Sequence, residues 1–397
     1  MARSKQSFSF KKSSGSISNI TNLASALGLS VDDFEDLWRI PDDQRYKPKP
    51  IPKASGGERI VYNPCKELRA IQRKINERIF SNPNIIQWPS FLYGSIPSSK
   101  NPDDKYRSRD YISCAQQHCQ SRSILKLDIK DFFDNIHDDI VLGVFADLLA
   151  YPEEVSMVLT KACTHQGRLV QGALTSSYLA MLCLHGHEES VVLRLKRKGL
   201  TYTRFVDDIT ISTMKSNHDF SYAIKIVEDM LVSLDLPLNK KKTSIQHSSA
   251  TPLTVHGLRV SFPQPRLPSD EVRRIRSAVQ ELEIVSAEGN YRYTYPYRQN
   301  FNRCMGRVNK LSRVKHPQHQ RLVRRLRKIL PLASKREINY VISAVDKLEK
   351  YSLDERSSYW YKKHYYRVAD RLNLVKRTHP SMVAELRLRM NGIVPRE

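Results

Sequence analysis

The chain has 397 residues, with 65 Lys and Arg against 41 Asp and Glu, a formal charge of +24, and 40% hydrophobic and 27% charged residues. That composition excludes wholesale disorder, a collagen-like repeat and a disulfide-framed miniprotein, and leaves room for two or three domain-sized units or one large enzyme body. The charge excess calls for a polyanionic partner, with nucleic acid, anionic lipid and acidic protein all open at this point.

Residues 1–18 are polar and rich in Ser and Lys, which predicts a flexible basic arm. A helix follows, capped by Thr21, apolar at Leu23, Ala26 and Leu27, and ended by Gly28. Tyr46 to Gly57, with Pro48, Pro50, Pro52 and a Gly-Gly pair, reads as an extended connection into a short strand, Arg59 to Tyr62, interrupted by Pro64. Leu68, Ile71, Ile75 and Ile79 have helical spacing over Lys66 to Phe80. Ser123 to Ile129 is a buried strand, Ile140 to Leu149 a helix, and Val170 to Leu184 a helix after a Gln-Gly opening. Tyr202 to Val206 and Ile209 to Thr213 are β-prone runs flanking Asp207-Asp208, which predicts a hairpin with the two acids as its turn. Further helices are expected over 219–234, Leu267 to Ile284 and Phe301 to Leu330, and a helical segment from Lys335 onward.

The six cysteines are scattered, without a C-x-x-C pair or zinc-like spacing, as expected of free thiols in a reducing cytosol. No window approaches the ~18 apolar residues of a membrane span, and the N-terminus lacks the apolar run of a secretory leader. A cytoplasmic protein with no membrane contact is expected. The charge is uneven: residues 262–397 carry +17 of the total and residues 1–261 carry +7. Runs such as Arg321, Arg324, Arg325, Arg327 and Lys328, and aromatics set among Lys and Arg at Tyr359, Trp360, Tyr361, Tyr365 and Tyr366, favour nucleic-acid contact over a merely solvated face.

Asp128, at the end of one expected strand, and Asp207 and Asp208, at the hairpin tip, are the residues that carry chemistry. Clustered carboxylates repel one another unless cations neutralise them, and hard Mg²⁺ ions are the natural occupants. Two such ions about 4 Å apart stabilise both the attacking and the leaving oxygen of an in-line phosphoryl transfer.

The series Leu127-Asp128-Ile129-Lys130-Asp131-Phe132-Phe133, Gln171-Gly172-Ala173-Leu174-Thr175-Ser176, Phe205-Val206-Asp207-Asp208 and Leu238-Asn239-Lys240-Lys241-Lys242-Thr243, in this order, resembles the palm motifs of reverse transcriptases. Upstream, Gly57-Glu58-Arg59-Ile60 with Pro64 and Leu68 to Gln72 extend the resemblance, which covers roughly residues 20–320. Cys114-Ala115-Gln116-Gln117-His118 resembles the Asn-Ala-x-x-His element of the bacterial retron-type lineage, and Val255-His256-Gly257 its Val-Thr-Gly element, with Cys114 in place of Asn and His256 in place of Thr. Phe205 stands where Tyr usually begins the Tyr-x-Asp-Asp box.

The resemblance implies an α+β right-hand polymerase, with an N-terminal helix and fingers over 19–122, a palm with an antiparallel sheet over 123–261, a helical thumb over 262–330 and a basic, aromatic helical extension over 331–397. It implies that Asp128, Asp207 and Asp208, with the Ile129 carbonyl, hold two Mg²⁺ ions, for which Mn²⁺ can substitute. It implies that Arg59 meets the triphosphate of a dNTP, that Asp131 lies in the nucleotide site, that Phe133 is the gate against a ribose 2′-OH, and that Gln171 and Gly172 pack beside nucleotide and template. It implies that Lys242 protonates or neutralises the pyrophosphate. Arg69 and Arg73 are expected to be backbone contacts or surface charge, and Arg307, Lys310, Arg324 and Arg325 are expected to face nucleic acid. His118 is taken as structural. The expected activity is RNA-directed DNA synthesis on a cognate structured non-coding RNA in anti-phage defence, with the RNA–DNA duplex, dNTPs and an effector protein or second copy as partners. Two rivals stand beside it: a defence polymerase making low-complexity, untemplated or protein-primed DNA, and a non-catalytic RNA-binding scaffold.

Overall fold

A computed structural model describes residues 10–13, 15–53, 56–101 and 104–396. The chain divides into two compact units, the first ending at Arg266 and the second beginning at Leu267. Among the described residues no helix is long and apolar enough to cross a membrane.

In the first unit, residues 1–9 and 14 of the expected arm lie outside the described residues. From Phe10 the expectation of a flexible arm is corrected. The Phe10 side chain is buried, its carbonyl accepts from the Gln87 amide at 2.7 Å, and the Lys12 amide donates to the Ile85 carbonyl at 2.8 Å. Lys11 and Ser16 reach the carbonyls of Leu149 and Ala150. The buried ring and these four hydrogen bonds together tie the stretch to the first unit.

The expected helix at 20–27 forms, capped by the Asn19 side chain and ended by Gly28 at φ +67. The proline-rich connection is itself a strand, β1 (Tyr46–Pro52), paired antiparallel with β2 (Glu58–Pro64). Pro48, Pro50 and Pro52 alternate along β1, so their nitrogens all point to one side. Pro48 lies opposite Tyr62, whose amide donates away from β1, to the Gln171 carbonyl at 2.7 Å. The prolines therefore face outward, and the rungs between the two strands lose nothing. Gly172, at φ +110, packs against this ribbon: a Cβ there would meet the Tyr62 carbonyl oxygen at 2.5 Å. That backbone holds the chain out of a helix beyond the Gln171-Gly172 opening, and the expected helix begins at Ser176.

The central sheet is built from β3 (Leu92–Tyr93), β6 (Ser123–Asp128), β7 (Thr201–Phe205), β8 (Asp208–Thr213) and β9 (Ser244–His247), in the order β3-β7-β8-β6-β9. The β3–β7 pair is parallel and the others are antiparallel. A separate pair joins β4 (Ser99–Asn101) and β5 (Asp104–Arg107), and β10 (Thr254–Val255) with β11 (Leu258–Arg259) makes a small hairpin. One sheet face, with Leu125, Leu127, Tyr202, Ile209 and Ile211, is buried in the main core beneath the helices Ser176–Leu182 and Glu188–Arg197. The other face carries Lys126, Asp128, Thr203, Phe205, Asp208, Thr210 and Ser212, which alternate with the apolar set.

The second unit is helical. Ser269–Ser286, Tyr295–Arg313 and Gln318–Lys328 share a core that includes Ile275, Val279, Tyr297, Phe301, Val308, Leu322 and Leu326. The single helix expected over 301–330 is broken by Lys315 at φ +53 and by Pro317. Lys335–Glu349, Tyr359–Val375 and Pro380–Asn391 close over a second core of Val341, Val345, Tyr361, Val368, Leu372 and Val383. Glu337 links the two groups through Arg298 at 3.0 Å and Arg371 at 2.8 Å.

Candidate active site

Asp128 ends β6 and Asp208 begins β8, and the register sets the two directly opposite each other. Asp208 also pairs with Phe205, so the turn of the hairpin is Val206-Asp207 and not the expected Asp207-Asp208 pair. Val206 sits at φ +60, the first central position of a tight turn, which glycine usually fills. Its conformation is held from below. Arg204, wholly buried on the apolar face, donates from Nη1 to the Val206 carbonyl at 3.0 Å and to the Ala180 carbonyl at 3.1 Å. Its Nε and Nη2 grip Glu188 at 2.6 and 2.8 Å, Nη2 also reaches the Met181 carbonyl at 2.8 Å, and the Tyr202 hydroxyl donates to Glu188 at 2.7 Å. From above, Gly94 at φ +115 leaves only enough room for the Val206 side chain, which a Cβ there would meet at 3.0 Å.

The Asp207 carbonyl accepts from the Ile129 amide at 3.2 Å, which ties the turn to the end of β6. Asp128 is buried and both its carboxylate oxygens are engaged: Lys242 Nζ donates to Oδ1 at 2.8 Å, and Asn239 Nδ2 to Oδ2 at 2.9 Å. The Asn239 amide also donates to the Asp128 carbonyl at 2.8 Å. Burial, then repulsion from Asp128, raises the Asp207 carboxyl above its usual range. Burial with repulsion from Asp207 and Asp128 pushes Asp208 up to about 6. The hydrogen bond to Asp128 raises Lys242, so its ammonium is secured. Lys126, on the same face as Asp128, donates to Thr254 at 3.2 Å and is lowered by burial against the pull of Asp208.

Of the other residues singled out in the sequence, Ile129 is buried, Asp131 is exposed at φ +45, and Phe133 is half-buried with its ring 6.0 Å from that of the buried Phe132. Gln171 and Gly172 lie against β2, the strand that carries the exposed Arg59. Arg69 is partly exposed and Arg73 exposed on the helix Lys66–Ile75. In the second unit Arg307 and Arg324 are exposed, Lys310 pairs with Glu271 at 3.4 Å, and Arg325 is held by Glu283 through two hydrogen bonds of 2.8 and 2.5 Å. His118 is structural: it is fully buried, with Nδ1 hydrogen-bonded to Ser212 and Nε2 to Thr203, each at 2.7 Å.

Sequence reasoning missed Asn239, Arg204 with Glu188, and Lys126. Asn239 lies inside a motif already singled out, and Lys126 is two residues from Asp128 on a strand, which places it on the same face. Nothing in the sequence pairs Glu188 with Arg204.

The profile of the family described as reverse transcriptase (RNA-dependent DNA polymerase) matches residues 51–281. The retron Ec48 reverse transcriptase of Escherichia coli is 45% identical over 357 residues, covering 90% of this chain and 87% of that protein. The retron Se72 reverse transcriptase of Salmonella heidelberg is 35% identical over 303 residues, 75% of each. A telomerase structure from Candida albicans aligns over 88% of this chain and 66% of its own at 12% identity, with a TM-score of 0.40. The fold is accordingly the α+β fold of the first of these groups, and the chain belongs to the reverse transcriptase family, RNA-directed DNA polymerases that transfer nucleotides, in its retron-type branch.

Proposed function

We propose that the chain extends a 3′-OH with dNTPs on a structured non-coding RNA template, using two Mg²⁺ ions held by Asp128, Asp207 and Asp208 with the Ile129 carbonyl. The observation that carries this reading is the opposition of Asp128 and Asp208 across adjacent strands with Asp207 on the turn beside them. The donor set is hard oxygen, and burial, with repulsion among the three acids after it, raises the Asp207 and Asp208 carboxyls, both of which a bound cation offsets. Among the described residues no three such side chains are gathered as a ready-made ion site. The Asn239 amide and the Lys242 ammonium take two of the roughly four acceptor positions of the Asp128 carboxylate, and the Lys242 side chain is exposed, so Asp128 would keep oxygen positions with which to hold an ion. When bound, the ions supply charge stabilisation at the attacking and leaving oxygens.

The chain's own residues then divide the work. Phe133 crowds a ribose 2′-OH. Arg59, on the β1–β2 ribbon, meets the triphosphate, and Gln171 and Gly172 bring that ribbon against the nucleotide beside Asp131. Lys242, released from Asp128, carries a proton toward pyrophosphate. Arg69, Arg73, Arg307, Lys310 and Arg324 neutralise backbone phosphates, and Arg325 does so to the extent that Glu283 leaves it free. The units named fingers, palm, thumb and extension at the boundaries given above fit this division, with anti-phage defence as the setting.

Asp207→Ala tests the reading. DNA synthesis is abolished while RNA binding persists, and full primer extension by the variant overturns it. Sequencing the nucleic acid that copurifies with the wild type separates the rivals: one structured RNA joined to DNA supports the proposal, repetitive DNA points to the low-complexity polymerase, and RNA without DNA to the scaffold.

A further inference from the structure

Above the polar face of the sheet, the helix Tyr111–Gln116 and the β10–β11 hairpin meet over β7 and β8 through an unbroken chain of polar side chains. His118 joins Ser212 of β8 to Thr203 of β7. The Thr203 hydroxyl contacts the Cys114 thiol at 3.3 Å, and the thiol contacts His256 Nε2 at 3.3 Å. The other ring nitrogen of His256, Nδ1, is 4.0 Å from Asp208 Oδ2, and the ring lies 4.7 Å from that of Phe205. Cys114 is fully buried and the His256 side chain is 12% exposed.

These contacts fix more than the position of the ring. A thiol is a hydrogen-bond donor, and when it donates to Nε2 the ring proton resides on Nδ1. That nitrogen is the one facing Asp208. His256 itself stands at φ +47 in the tight turn of its hairpin, a conformation that non-glycine residues adopt at a cost, so the backbone as well as the ring is committed to this placement. The helix Tyr111–Gln116 is anchored by the Asp110 side chain accepting from the Ile112 and Ser113 amides, which makes Cys114 a fixed point.

We propose that His256 is a positioning residue for Asp208, with its Nδ1–H aimed at one carboxylate oxygen, and that Cys114 selects that tautomer and holds the ring. The proposal rests on the reading of Asp208 as an ion-holding carboxylate. It assigns His256 the part played by outer groups that orient ligating side chains, whose loss typically costs about 10–100-fold in ion affinity or activity.

The test is Mn²⁺ titration of the full-length protein, followed by electron paramagnetic resonance, with primer extension and thermal unfolding measured on the same samples. His256→Phe keeps a ring against Phe205 but has no ring N–H. It weakens Mn²⁺ binding and lowers kcat by about tenfold at the low end of that range, with the KM for dNTP unchanged. His256→Asn, which places an amide near the former Nδ1, recovers most of the loss. Cys114→Ala shifts both quantities in the same direction, and adding it to His256→Phe costs nothing further. Wild-type Mn²⁺ affinity in His256→Phe at an unchanged unfolding temperature overturns the proposal, as does an Asn variant no better than Phe, or strict additivity of the double variant. Asp208→Asn is measured alongside. If it binds Mn²⁺ like the wild type, the ion-holding reading fails and this proposal with it. If it loses binding while His256→Phe does not, only the positioning role fails.

Discussion

Arg204→Met removes a guanidinium that makes five hydrogen bonds to Glu188 and to the carbonyls of Ala180, Met181 and Val206. Both partners of the ion pair are essentially without solvent contact, at 0% and 1% exposure. Burial alone favours the neutral guanidine, yet Glu188 outweighs it and the Arg204 pKa is raised, so the guanidinium keeps its charge. Breaking such a pair from one side costs about 3–5 kcal/mol, because the surviving carboxylate stays buried with only the Tyr202 hydroxyl as a donor. Replacing both partners, Glu188→Leu with Arg204→Met, removes the orphaned charge. The three carbonyls left short of a donor cost about 1–3 kcal/mol each, but the single variant bears that cost too, and the double variant adds only the loss of the Tyr202 hydroxyl's acceptor. The double variant is therefore expected to be more stable than the single one. Trp38 and Trp88 lie in the first unit and Trp360 in the second, so urea unfolding followed by tryptophan fluorescence in a Trp360→Phe background reports the first unit. A loss below about 1 kcal/mol in Arg204→Met, or a double variant less stable than the single one, refutes the account of this buried pair. At a temperature where the single variant is fully folded, its DNA synthesis still falls, because the Val206 carbonyl beside Asp207 has lost its anchor.

Gly172→Ala forces a Cβ to within 2.5 Å of the Tyr62 carbonyl oxygen at φ +110, so the β1–β2 ribbon must move. The KM for dNTP rises at least several-fold, while primer–template affinity measured by filter binding changes little. Burial, aided by repulsion from His256, lowers the His118 pKa to about 3, below its unfolded value of about 6.5. The unfolded chain thus binds the extra proton, and stability from this group is complete above pH 6.5 and is lost as pH falls toward 3, by up to about 1.4 kcal/mol per unit. His118→Gln flattens that part of the acid limb in urea titrations at stepped pH, and an unchanged slope refutes the assignment. Arg321→Gln with Arg324→Gln reduces the slope of log affinity against log salt for an RNA–DNA duplex by up to about two, and an unchanged slope shows that these exposed arginines do not meet phosphate.

The strands that carry the acids were legible because β6, β7 and β8 are apolar or β-branched runs bounded by polar sequence. The turn between β7 and β8 was displaced by one residue. Asp-Asp has turn chemistry, whereas a valine at φ +60 does not advertise itself, and what holds it is Arg204 from below. The edge strands were invisible for a different reason: Leu92–Tyr93 is two residues long, and Ser244–His247 has no apolar alternation to mark it. Within the site, Asp128 and Lys242 were both named, and they meet at 2.8 Å across 114 positions of sequence. Contacts such as Cys114 with His256, 142 positions apart, arise only when the hairpin β10–β11 comes over the sheet, and no local pattern encodes them. The proline-rich stretch before Arg59 was read as a connection because proline is rare inside sheets, yet a two-stranded ribbon has an outer side on which proline costs no rung.

Those same prolines bear on association between copies of the chain. An isolated ribbon has two open edges, each a row of amides and carbonyls on which a foreign strand can dock and begin an aggregate. On the β2 edge the Tyr62 amide is already bonded to Gln171, and on the β1 edge Pro48, Pro50 and Pro52 remove three successive outward donors. A strand arriving at β1 finds carbonyls without the amides that alternate with them, and cannot zip. The ribbon bearing Arg59 is therefore expected to stay two-stranded at high concentration, and valine or threonine in place of its prolines is expected to open a self-association site, visible as light scattering that grows with concentration.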